Sequence, residues 1–111
     1  MQKNSIQHCF LIGLLFILSS CSDDKNYSES SLRGKDVYER ECTKCHNSNP
    51  SKMGVNAPDI AGSSLETIKS MLLTGKPPVG QTPKDDRKMD PLPHLIEEAP
   101  YLFEYIDSFK K

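Results

Sequence analysis

The chain predicts an all-α domain with long loops, and three observations carry that expectation. No segment alternates apolar and polar residues as a half-buried strand does. Apolar residues recur at helical spacing in two places: Leu65, Ile68, Met71 and Leu72, then Tyr101, Leu102, Tyr105, Ile106 and Phe109. Residues 76–91, between them, are rich in Pro, Lys and Asp and read as a surface loop.

Residues 1–20 read as an export signal outside that domain. Met1-Gln2-Lys3 is a weakly positive start, and 10–18 (FLIGLLFIL) is a short apolar run. Such a run fits a signal-peptide core and falls short of the roughly 20 residues that span a bilayer as a helix. It ends in Leu18-Ser19-Ser20-Cys21, which resembles the bacterial lipobox, where a small residue precedes a cysteine that is lipidated and becomes the mature N-terminus. The alternatives are an ordinary secretory peptide and an uncleaved anchor. Lipidation at Cys21 is preferred because it disposes of an exported thiol that would otherwise be unpaired and reactive. Residues 21–31 then form a lipidated flexible tether, polar and serine-rich. Residues 32–111 form a single small domain, exported and held on a bacterial membrane, in the periplasm or at the cell surface.

A domain of about 80 residues buries little surface, and many of that size lean on a metal or on crosslinks. The formal net charge of −1 gives no basic face for a nucleic acid. A monomer is expected.

Along the domain, Ser31 is placed to cap a first helix that starts near Leu32. Gly34 weakens that helix by roughly 1 kcal/mol relative to Ala. It makes sense if a second helix crosses there, with Tyr101 or Tyr105 lying over it; a frayed first turn is the other reading. A second helix is expected over 64–74, capped by Ser63 or Ser64, with Glu66 in its first turn and Gly75, Pro77 and Pro78 to stop it. Leu92, Leu95 and Ile96 suggest a short turn or helix, and the aromatic-rich face at 101–109 closes the chain after Pro100.

Within this frame Cys42-Thr43-Lys44-Cys45-His46 carries the chemistry. A C-x-x-C-H run is the covalent attachment signature of a c-type haem. Each thiol adds across one vinyl group on the porphyrin edge, and the following histidine lies under the iron. Zinc would need a second ligand pair, and a thioredoxin-like dithiol would need a βαβ context; neither is evident. The cysteines are then accounted for, with Cys9 in the signal, Cys21 on lipid, and Cys42 and Cys45 on haem. His46 is the expected proximal iron ligand. For the sixth position Met53 lies too close to His46 in sequence, and Met71 belongs to a helix face, where a core role suits it. Met89, in a loop bounded by prolines, is preferred. His94 or an open position remain the alternatives.

From Leu32 to Phe109 the chain resembles the small monohaem class I cytochrome c family. The resemblance rests on Gly34 and Tyr38 ahead of the C-x-x-C-H run, on 56–62 (NAPDIAG), on 89–95 (MDPLPHL), and on Glu98 with Leu102, Tyr105 and Ile106. It implies a cytochrome c fold, three to four helices around one covalent haem c. It also implies that the carbonyl of Pro58 accepts a hydrogen bond from the second nitrogen of His46, and that Met89 is the distal ligand. Asp90 departs from the family, which usually has proline there, and leaves the methionine loop less rigid.

His/Met ligation saturates the iron and raises its potential. The expected function is electron transfer by a membrane-anchored carrier, not an enzyme, shuttling single electrons between redox partner proteins of a respiratory chain. The alternatives are a haem-binding subunit of a larger oxidoreductase, and a haem sensor or enzyme with a labile sixth ligand.

Overall fold

A computed structural model describes residues 26–111. The expected export signal, Cys9, Cys21 and residues 21–25 of the expected tether lie outside the described residues. Helix α1 spans Glu29–Val37 and runs on into a π-helical turn, Tyr38–Cys42; α2 spans Leu65–Thr74; a 3-10 turn, Pro93–Glu98, leads into α3, Ala99–Asp107. Among the described residues there is no strand, so the class is all-α. None of their helices is long and apolar enough to cross a membrane.

Helix α1 begins one turn earlier than the sequence suggests. Ser28, not Ser31, is its N-cap: the Ser28 Oγ accepts from the Ser31 amide at 3.1 Å, and Glu29 places a carboxylate in the first turn. Ser31 is instead buried inside the helix. The earlier start lets Tyr27 reach the Tyr105 ring at 5.8 Å, and Ser28 donate to Glu104 on α3 at 3.4 Å. Tertiary packing thus chooses between two locally adequate serine caps, and Glu29 to Ser31 join the domain rather than the tether.

Helices α1 and α3 form the most extensive helix pair, crossing at Gly34. A Cβ built there would fall on the main-chain carbonyl oxygen of Tyr101 and lie 3.0 Å from the Tyr105 Cβ. The absent side chain is what allows the close approach. Tyr105 is the centre of the core, its ring 5.5 Å from that of Tyr38 and 5.2 Å from that of Phe109, the latter edge-on. Val37, Leu102 and Ile106 complete the α1–α3 seam, and Ile68 and Leu72 bring α2 against it. Arg33 forks onto Glu98 with two 2.9 Å contacts and lies over the Tyr101 ring at 4.2 Å. That pair is solvent-exposed and contributes little stability compared with the buried rings.

Burial pushes the Tyr105 hydroxyl up to about 12, and Tyr38 is raised as well. An unfolded tyrosine ionises near 10, so the unfolded chain loses these protons first. Stability is therefore complete below pH 10 and falls as pH rises toward 12. In a variant with Tyr27 and Tyr101 replaced by Phe, tyrosinate absorbance and far-UV circular dichroism should change together in that window; ionisation of Tyr38 and Tyr105 near pH 10 with the fold intact would contradict the packing.

Helix α2 has the ends expected of it. The Ser64 Oγ accepts from the Thr67 amide at 3.1 Å, and Gly75 closes it in the left-handed conformation, φ 73°, its amide bonded to the Met71 carbonyl at 2.8 Å. Met71 departs from expectation. It is not part of the buried core cluster but lines the cavity described next.

Candidate cofactor site

The last turn of the first helix widens to a π-helical one, where the Thr43 amide bonds the Tyr38 carbonyl at 3.2 Å. Turns of this kind are rare and concentrate at functional sites. Here it ends on Cys42. The amides of Cys45 and His46 then both turn back onto the Cys42 carbonyl, at 3.2 and 2.9 Å. This compact loop sets Cys42, Cys45 and His46 on the wall of one cavity of about 430 Å³. Tyr38, fully buried, braces the loop from behind: its hydroxyl donates to the Asn47 carbonyl at 2.6 Å.

His46 Nδ1 lies 3.1 Å from the carbonyl oxygen of Pro58. A carbonyl only accepts, so Nδ1 carries the proton and Nε2 keeps its lone pair for a ligand. Burial, and the nearby Arg87 cation, lower the His46 pKa against the opposing pull of that carbonyl, which keeps the ring neutral. Pro58 is held by a tight loop, in which the Pro50 carbonyl accepts from the amides of Ile60 and Ala61 at 2.8 and 2.9 Å.

Met89 lies on the wall of the same cavity, partly buried against the core. Its loop is pinned to the end of α2 in two ways. The Leu92 amide donates to the Leu72 carbonyl at 2.8 Å, and Gly75 packs against the Met89 main chain so closely that a Cβ would meet the Met89 carbonyl oxygen. Gly75→Ala therefore combines a left-handed φ, costing about 1 kcal/mol, with a clash that must push the Met89 loop outward. A loss of about 2 kcal/mol with displacement of Met89 is expected, read by denaturant titration; an unperturbed midpoint would show that the loop does not rest on Gly75.

The other sequence candidates fall elsewhere. Met53 is 66% exposed, and neither it nor His94 lines the cavity. Met71 does line it, so two thioethers face this space where one was expected. Between the donors the wall is largely apolar, with Ile60, Ile68, Leu72, Leu92, Leu102 and Ile106, and charges of both signs also line it, Lys44, Lys84, Arg87 and Lys88 beside Glu41, Asp85 and Asp90. Such a set suits a flat apolar ring: a neutral imidazole and thioethers for a central metal, and thiols for covalent attachment.

The same geometry weighs against two rivals. Among the described residues, no group of three or more His, Cys, Asp or Glu gathers to hold a metal ion by itself, which a zinc site requires. The Cys42 thiol is pushed up to about 12 by burial and by Glu41, opposite to the lowered thiol of a disulfide-exchange centre.

Two contributors to the site carry no sequence signal. Lys84 donates to the Asp59 carbonyl at 2.8 Å, and Arg87 donates to the carbonyls of Gly54 and Val55 at 3.3 Å each. These contacts join residues 25 to 33 positions apart in the chain, and no local pattern announces such a pairing. Comparison of the chain with protein families, with curated proteins and with solved structures found no match.

Proposed function

We propose that this chain is a monohaem c-type cytochrome of the class I fold, an electron carrier attached to a membrane through a lipid on Cys21. The observation that carries the reading is one apolar cavity with Cys42, Cys45 and His46 on its wall together with Met89, His46 being already oriented by the Pro58 carbonyl. When bound, haem would supply a one-electron couple.

The chain's own residues would do the rest. Cys42 and Cys45 would anchor the ring edge. His46 would present Nε2, its basicity raised by the hydrogen bond at Nδ1. Met89 would supply a thioether, which favours the ferrous state relative to a second imidazole. His46 and Met89 together would keep oxygen and peroxide from the metal. The apolar walls, including Ile68, Leu72 and Leu102, would exclude water and disfavour the added charge of the ferric state. Electron exchange would then need only a small, transient contact of this domain with a partner protein. The N-terminal lipid would keep such encounters frequent by confining the domain near its partners.

Expression in a host with haem-attachment machinery, followed by redox-titrated absorption spectra, tests this reading. A low-spin spectrum with the weak long-wavelength sulfur-to-iron band in the ferric state is expected. A high-spin ferric protein that binds carbon monoxide readily once reduced would favour a sensor or enzyme.

A further inference from the structure

The loop that carries Met89 and the loop that carries Pro58 are joined by side chains. Among the described residues, no backbone hydrogen bond connects residues 76–91 to residues 50–61. Two cations make the connection. Lys84 Nζ donates to the Asp59 carbonyl at 2.8 Å and contacts its carboxylate at 3.2 Å. Arg87 Nη1 donates to the carbonyls of Gly54 and Val55, at 3.3 Å each.

Arg87 is itself aimed by Asp85. One carboxylate oxygen accepts from the Arg87 main-chain amide at 2.9 Å, while the other accepts from Nε at 3.0 Å and pairs with Nη2. The fork leaves Nη1 as the end that reaches across. Arg87 stands two residues before Met89, and Val55 stands three before Pro58. One side chain thus touches the supports of both proposed axial ligands.

We propose that Arg87, seconded by Lys84, is a positioning residue that clasps the Met89 loop onto the Pro58 loop and so sets how readily Met89 is displaced from the metal. This rests on the haem reading above. Displacement is a ligand exchange without electron transfer: the thioether leaves and an incoming nitrogen takes the position.

The test is the affinity of the ferric holoprotein for added imidazole, followed by loss of the long-wavelength sulfur band. Arg87→Met keeps the stem and removes the donors. It should bind imidazole about tenfold more tightly than wild type, because opening the loop no longer breaks the clasp. Arg87→Lys, which keeps a cation able to hold one carbonyl, should fall between them. Arg33→Met removes an equally forked arginine that does not line the cavity, and should leave the affinity unchanged. Equal affinities in wild type and Arg87→Met would overturn the proposal, as would an equal gain in Arg33→Met, which would indicate general loosening. If Arg87→Met yields no holoprotein, Asp85→Asn takes its place: it frees the guanidinium from its aiming fork, and an unchanged affinity there overturns the clasp. A wild-type protein without covalent pigment would remove the haem reading, and the proposal with it; pigment with unaltered imidazole binding removes the clasp alone.

Discussion

Gly34→Ala should destabilise the protein by about 2 kcal/mol, although the same change in an isolated helix would stabilise it. Two effects of opposite sign compete. Alanine favours the helical backbone by roughly 1 kcal/mol over glycine. Against this, the new methyl falls on the Tyr101 carbonyl oxygen at the α1–α3 crossing, and overpacking of a tight contact costs typically 1–3 kcal/mol, occasionally more. The obstacle is main chain, which cannot rotate aside as a side-chain tip would, so the upper end of that range applies. Separating the helices also loosens Tyr105 between Tyr27, Tyr38 and Phe109. Since Tyr38 braces the loop after Cys42, the disturbance should reach the proposed attachment site as a lower yield of haem-loaded protein. Denaturant midpoints of the two proteins decide the matter. A variant as stable as wild type, or more so, would mean that propensity wins and that the helices do not cross there.

Met89→Ala should abolish the ferric sulfur-to-iron band and lower the reduction potential by on the order of 0.2 V, a fraction of the ~0.8 V over which axial ligands tune haem. The loss of a partly buried side chain adds a smaller destabilisation, about 1 kcal/mol. Because Met71 lines the same cavity, it is the informative comparison. Met71→Ala should keep the band, since Met71 is held on the body of α2 while Met89 sits on a loop that can settle over a ring. His94→Ala should also keep it, as His94 does not line the cavity. Loss of the band in Met71→Ala with its retention in Met89→Ala would reassign the distal ligand to the helix.

The parts of this molecule that could be read in advance are those written in neighbouring residues. The ends of α2 follow from Ser64 and Gly75, and the apolar face of α3 from its spacing. Gly34 signalled the crossing because a glycine inside a helix needs a reason. Cys42, Cys45 and His46 form one contiguous run and are brought to one wall by local turns. Legibility fails where distant segments decide. Ser28 and Ser31 are equally able to cap, and the Tyr27–Tyr105 contact, far apart in the chain, selects Ser28. The π turn before Cys42 has no compositional mark; it rests on the fit of buried Tyr38 to the loop beyond. Met71 has the spacing of a core residue, yet the cavity lies beneath it. Met89 is legible from its proline-bounded loop as well as from family resemblance, Pro58 from the resemblance alone, and the Arg87 and Lys84 contacts have no sequence counterpart at all.

Covalent attachment of haem through Cys42 and Cys45 is decided by the intact mass of the mature protein, purified from a host that attaches haem and then fully denatured. A red chain heavier by one haem is expected, with the added mass lost when Cys42 and Cys45 are both replaced by serine. A colourless chain whose two thiols remain free to alkylation would contradict it.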